Sequence, residues 1–212
     1  MLSFFGNKDK ADGRGGRGER VLRPSIGWGR LLEKMRTQES LRILDIGPTS
    51  PSSINLVTGL GHSIYLANLV EEAAKPEWRA PADEAGVERI DVEQFLATHL
   101  NFSGRDFDVV MFWDTADYLP EPLLQPVIDR IYEVMVPDGQ MLAMFHLAPS
   151  GADRAFYRYH LTDQDAIAMQ RMGEYPIVRT YNNREVEKLF VKFNNFHFFL
   201  GKDNLREVLV TR

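Results

Sequence analysis

A chain of 212 residues with 44% apolar content and a formal charge of -5 suits one ordinary domain with a substantial core, and it shows no internal repeat. Zero cysteines exclude disulfides, thiolate metal sites and a cysteine nucleophile, and no apolar run is long enough to span a membrane. Residues 1–36 hold nine Lys/Arg and four Asp/Glu, which leaves the rest of the chain at net -10 and argues against nucleic-acid binding.

Met1 to Gly6 is too short for a secretory signal core and has no basic region before it, so a cytoplasmic protein is expected. Asn7 to Arg20 mixes Gly, Arg, Asp and Lys with almost nothing to bury. Residues 1–22 are therefore expected to be a disordered basic tail, followed by one domain at 23–212. Two readings of the tail stand: a solubilising extension, or a tether that lets Leu2, Phe4 and Phe5 dock on a protein partner.

Ser25 to Met35 reads as a short helix with Ile26, Trp28, Leu31, Leu32 and Met35 on its apolar side. Leu41 to Gly47 is a first strand. Ser50 then caps a helix that starts at Pro51 and ends by Gly59 and Gly61. His62 to Asn68 gives a second strand, Val70 to Lys75 a short helix, Pro76 to Ala85 a loop, and Gly86 to Ile90 a weaker third strand followed by an amphipathic helix through Leu100.

Phe107 to Trp113 is a nearly unbroken apolar run with adjacent valines, the pattern of a strand covered on both faces, and Asp114 follows where it emerges. Pro122 to Met135 places Leu123, Leu124, Val127, Ile128, Ile131 and Met135 at helical spacing. Val136-Pro137-Asp138-Gly139 turns into a fifth strand, Gln140 to His146. Arg184 to Phe193 is the last helix, with Asn182 or Asn183 as its cap. Asn195 to Leu200 and Leu205 to Thr211 are joined too closely for a parallel crossover, so they form an antiparallel hairpin. Phe196 to Leu200 should lie at the sheet edge, where an apolar strand invites pairing into a homodimer.

From Arg42 to Arg212 the chain resembles the class I S-adenosylmethionine-dependent methyltransferases. The resemblance rests on Ile43-Leu44-Asp45-Ile46-Gly47, Phe107-Asp108-Val109-Val110 with Asp114, Tyr118-Leu119-Pro120, Pro137-Asp138-Gly139, and the helix from Arg184 to Phe190. It implies an α/β fold of three Rossmann-like layers, with a mostly parallel seven-stranded sheet and an antiparallel C-terminal hairpin. It also implies S-adenosylmethionine as cofactor and a small molecule or exposed side chain as methyl acceptor.

By position, Gly47, Pro48, Thr49 and Ser50 would lie against the cofactor's methionine part, Asn68 would face its ribose, Asp91 its adenine, and Trp113 its reactive end. Two departures stand out. The family's Gly-x-Gly-x-Gly turn reads Gly47-Pro48-Thr49-Ser50-Pro51, which is stiffer and bulkier. Asn68 stands where relatives have an acid. The hydroxyls of Thr49, Ser50, Ser52 and Ser53 are either helix caps or an anion site at a helix start. A nicotinamide site is disfavoured, because the turn after the first strand is not Gly-x-Gly-x-x-Gly and no acid closes the second strand.

Ligands of such sheets sit at the strands' carboxyl ends, so the exits of the fourth and fifth strands border the expected cleft. His146 is the candidate base and Asp114 the candidate positioning group. Tyr118 and, from the long insertion Ser150 to Tyr181, Tyr157, Arg158 and His160 are candidate substrate contacts, because such insertions often form lids. A second reading packs Phe156 and Tyr159 inward. Two functions follow: a small methyltransferase, or a non-catalytic binding or scaffold protein on the same fold.

Overall fold

The computed structural model describes residues 18–80, 89–102, 104, 106–147, 155–201 and 203–212. Its main sheet has six strands. From one edge they run β10 (Asn194–Leu200), β11 (Leu205–Thr211), β7 (Met135–His146), β6 (Phe107–Trp113), β2 (Arg42–Asp45) and β3 (Ser63–Leu66). The pairs β2–β3, β2–β6 and β6–β7 are parallel, and β11 is antiparallel to both β7 and β10. The hairpin thus turns back on itself so that its second strand lies inside and the apolar β10 forms the edge, as expected.

Successive residues of β6 and β7 alternate between two apolar layers. Val110, Phe112, Met141, Ala143 and Phe145 join the side built with α4 (Val92–His99), α6 (Glu121–Val134) and α7 (Asn183–Leu189). Val109, Met111, Trp113, Leu142 and Met144 join the opposite side, with α1 (Ile26–Thr37) and α2 (Pro51–Gly59). Burial on both faces explains the unbroken apolar run of β6. Ser25 caps α1 by accepting a bond from the Trp28 amide, and Asn182 with Glu185 forms a reciprocal capping box on α7. Gly27 weakens its helix but lets it approach β7: a Cβ there would meet Leu142 Cδ1 at 2.5 Å.

Two expectations are corrected, and a third feature is new. Among the described residues the main sheet has six strands, not seven. Among the described residues Arg89–Ile90 (β5) pairs with Arg79–Ala80 (β4) as a separate two-residue ladder, and Asp91 caps α4 directly after it. Residues 86–88 lie outside the described residues. The tail ends earlier than expected: Arg20–Pro24 is a strand, β1, within which Arg23 is buried against Glu207 and Asp203. Residues 1–17 of that tail lie outside the described residues. Third, the insertion forms β8 (Ala155–Leu161) and β9 (Ala166–Glu174), which pair with β1 into a three-stranded antiparallel sheet of order β1-β9-β8. Residues 148–154 of the insertion lie outside the described residues. The small sheet buries Tyr159, Leu161 and Ile167 in the same apolar layer as Trp28 and Trp113.

Candidate functional site: the carboxyl rim of the main sheet

The rim is formed by the ends of β2 and β6 and by the turns that follow them. After Asp45, residues Ile46 to Ser50 lead into α2. After Trp113, residue Asp114 begins the single turn α5 (Thr115–Tyr118). Trp113 occupies a left-handed backbone conformation, φ 49°, which a bulky side chain adopts at a cost. The turn swings its indole back over the end of β2, where Nε1 donates to Asp45 Oδ1 at 2.6 Å. Gly47 makes this approach feasible, since a Cβ there would lie 3.0 Å from Trp113 Cδ1.

β8 lies across the same rim and is bonded to it residue by residue. The Tyr159 ring stacks on Trp113 with centroids 4.7 Å apart and planes within 11°. Its hydroxyl donates to Asp114 Oδ2 at 2.7 Å. Next, His160 Nδ1 lies 2.7 Å from Ser50 Oγ and 3.0 Å from Ser52 Oγ, and its Nε2 lies 3.0 Å from Gln170 Oε1. The Leu161 amide donates to Ser53 Oγ at 3.0 Å, and Trp28 Nε1 donates to the Thr162 carbonyl at 3.0 Å. The serines after the first strand therefore have two partners: they cap α2, through the Ser53 amide bond to Ser50 Oγ, and they hold β8. Ser50→Ala removes the cap and a partner of His160 together, and should cost about 2 kcal/mol in chemical denaturation.

This packing fills the crevice. Ile46, Gly47, Pro48, Val70, Trp113, Asp114, Thr115, Phe156, Tyr157 and Tyr159 surround a space with no room for a water molecule. Two larger hollows lie elsewhere: one of about 730 Å³ beside α1, and a groove of about 630 Å³ between β1 and β10.

Burial shifts the rim's ionisable groups. Asp45, with one bond from Trp113 to oppose its desolvation, is pushed up to about 7. Asp114 is pushed up to about 6 by burial, against the opposing influence of His146 and of the Tyr159 hydroxyl. Tyr159 is raised well above 10.0 by burial and by the Asp114 charge, so it remains a donor. His160 is lowered, first by burial and then by nearby Arg20 and Arg158, which suits a neutral ring accepting bonds from the serines at Nδ1.

The structure brings several candidates together. Asp114, Trp113, Gly47, Pro48 and Ser50 share the rim, and His160 joins them. Others are placed differently. His146 is buried, and both its backbone amide and its Nδ1 lie within 2.8 Å of Asp117 Oδ2, the acid partner that sequence reasoning did not identify. Burial raises Asp117 against the bonds from His146. Tyr118 is buried, donates to the Ala155 carbonyl at 3.3 Å and packs edge-on to Phe156. Asp91 is exposed and caps α4 by accepting from the Gln94 amide. Thr49 is exposed, and Tyr157 and Arg158 are half-buried. Asn68 ends the second strand's loop with Oδ1 buried and unpartnered. Asp45 and Tyr159 are the anchors that sequence reasoning undervalued. The signal for Asp45 was a carboxylate closing an apolar strand, and for Tyr159 its place in Phe156-Tyr157-Arg158-Tyr159-His160.

Four parallel strands followed by a hairpin that inserts its last strand beside β7 decide the architecture. The fold is that of the class I methyltransferases. Among solved structures, the PH0226 protein from Pyrococcus horikoshii OT3 matches over 87% of this chain and 88% of its own, with 13% identity and a TM-score of 0.50. A TehB-like SAM-dependent methyltransferase from Corynebacterium glutamicum matches over 88% and 87%, with 14% identity and a TM-score of 0.48. Identities this low speak to fold alone. No protein-family model matches the sequence, and no curated protein does.

On this methyltransferase fold the residues present do not fit S-adenosylmethionine at its usual place. The first-strand acid is bonded to Trp113, the turn's hydroxyls hold β8, and the crevice is solid. Asn68 Oδ1 alone fits, as a buried acceptor without a donor. Among the described residues no group of three or more His, Asp or Glu could hold a metal ion, and no helix is long and apolar enough to cross a membrane.

Proposed function

We propose that this chain is a non-catalytic protein on the methyltransferase fold, a binding or scaffold module in which the cofactor crevice has become core. The observation that supports this is the run Tyr159 to Thr162, each residue of which bonds to a group on the rim or on α1. A ligand entering there must break these contacts and unstack Trp113 from Tyr159, at a cost that every binding event bears. Calorimetric titration of the purified chain with S-adenosylmethionine and S-adenosylhomocysteine should show no saturable heat at millimolar ligand. A dissociation constant in the micromolar range would overturn the proposal.

A second reading is an S-adenosylmethionine-dependent methyltransferase acting on a small molecule, with β8 and β9 displaced when the cofactor binds. Two observations favour it: the unpartnered Asn68 Oδ1 where relatives hold the ribose, and the two carboxylates, Asp45 and Asp114, kept in the core at an electrostatic cost. In that reading Gly47, Pro48, Ser50, Asn68 and Trp113 contact the cofactor, Asp114 orients the acceptor, and His146, held by Asp117, takes its proton. Micromolar binding accompanied by faster amide exchange in β8 is the result that would select it.

A further inference from the structure

A groove of about 630 Å³ between the two sheets has a predominantly apolar lining that the methyltransferase fold does not explain. Its apolar lining is Val21, Leu22, Ile26, Met169, Phe199 and Leu200, and the ion pairs of Arg23 with Asp203 and Glu207 supply its polar part. Val21, Leu22, Ile26 and Leu200 are each more than half exposed, up to 74% for Leu200. Both strands that border it, β1 and β10, are edge strands of their sheets. A clustered apolar patch between two open strand edges is a site for an added apolar strand rather than a place where single hydrophobic residues happen to face water.

We infer that this groove seats the segment Leu2–Phe5 of the same chain. The residues directly ahead of β1 carry their large apolar side chains in one place, Met1, Leu2, Phe4 and Phe5, and from Gly6 to Arg20 no apolar residue larger than Ala11 occurs. The segment therefore has apolar surface to bury and no partner within its own stretch. Position favours the match, because β1 itself forms one wall. The fourteen residues from Gly6 to Glu19 can extend roughly 46 Å, ample for a return past β1. A tether of this length holds the segment at a local concentration in the millimolar range, far above that of a second molecule in dilute solution. Leu2 and Phe4, two apart, would face the groove together if the segment pairs as a strand with the free edge of β1 or β10.

The test compares the full chain with the double variant Phe4→Ser, Phe5→Ser by amide hydrogen exchange, with sedimentation run on both between 1 and 100 μM. Peptides covering 20–26 and 197–201 should exchange at least about tenfold faster in the variant, peptides in α6 should be unchanged, and both proteins should sediment as monomers. Leu200→Ser, at an exposed position that leaves the core intact, should speed exchange in the 20–26 peptide to a similar degree. Equal exchange in parent and double variant would overturn the inference. So would protection that rises with concentration alongside a doubled mass, since the groove would then belong to a second copy.

Discussion

Tyr159→Ala is expected to lower the free energy of unfolding by about 3–5 kcal/mol, the range for deleting a large buried aromatic whose cavity cannot collapse. The ring is 2% exposed, stacks on Trp113 and packs in the layer shared with Trp28, Leu161 and Ile167. Equilibrium urea unfolding followed by tryptophan fluorescence measures the loss directly. A cost below about 1 kcal/mol would mean that β8 rests on the rim without being part of the core, and the displaceable-strand reading would gain ground. Tyr159→Phe separates packing from polarity: it keeps the stack and removes the bond to Asp114 Oδ2. Its cost should be about 1–3 kcal/mol above pH 6, where the Asp114 carboxylate would lose a donor. It should be smaller below pH 6, where Asp114 is protonated.

Asp45→Asn is expected to make the protein more stable at pH 8 and to flatten its pH dependence. Asp45 is pushed up from 3.8 to about 7 in the fold, so between those values the folded state keeps a proton that the unfolded chain has released. Stability contributed by this group is therefore whole below about pH 4 and is lost as pH rises to 7, by up to about 4 kcal/mol. Asparagine does not titrate, and its carbonyl can still accept from Trp113. Its amide hydrogens need acceptors, which offsets part of the gain. A net gain of about 2 kcal/mol at pH 8, shrinking to nothing or reversing at pH 4, should appear in urea curves at the two pH values. Asp114, raised for the same reason, leaves a residual slope in the same direction. A variant less stable than the parent at pH 8 would show that the Asp45 charge is compensated by its surroundings.

Retention of these carboxylates gives the two readings of function different weight. Core positions that serve only packing gain from losing such groups, whereas binding sites keep them at a cost in stability. Asp45 and Asp114 thus speak for a ligand, while the packing of Trp113, Tyr159 and His160 speaks against one at the rim. Titration with S-adenosylmethionine, on the parent and on Tyr159→Ala, weighs the two directly. Binding gained only in the variant would identify β8 as the barrier.

The α/β class and the order of most main-sheet elements were legible in the sequence, whereas β1, β8 and β9 were not. Periodicity in Leu123 to Ile131, the unbroken apolar run of β6, the cap at Ser50, an asparagine cap at 182 or 183, and the short link between the last two strands are local signals. Each depends on residues a few positions apart, which is the range over which helices and hairpins are decided. The count of strands in the main sheet was not legible, because Arg89–Ile90 has the composition of a strand but pairs with Arg79–Ala80, a choice of partner that no local pattern states.

The site was legible only as a set of candidates. Asp114, Trp113, Gly47, Ser50 and His160 could be named because residue types and positions in a resembling fold suggest them. What they do depends on Tyr159, 45 residues beyond Asp114, and on His160, 110 residues beyond Ser50. A sequence states that Thr49 and Pro51 stand where the resembling family has glycines, but not what the altered turn holds. Only the tertiary structure, by laying β8 across the ends of β2 and β6, decided that the turn and the start of α2 grip β8 through the His160 ring and the Leu161 amide. Hydrogen-bond partners at such separation are chosen by packing, and packing is a property of the assembled layers rather than of any local stretch.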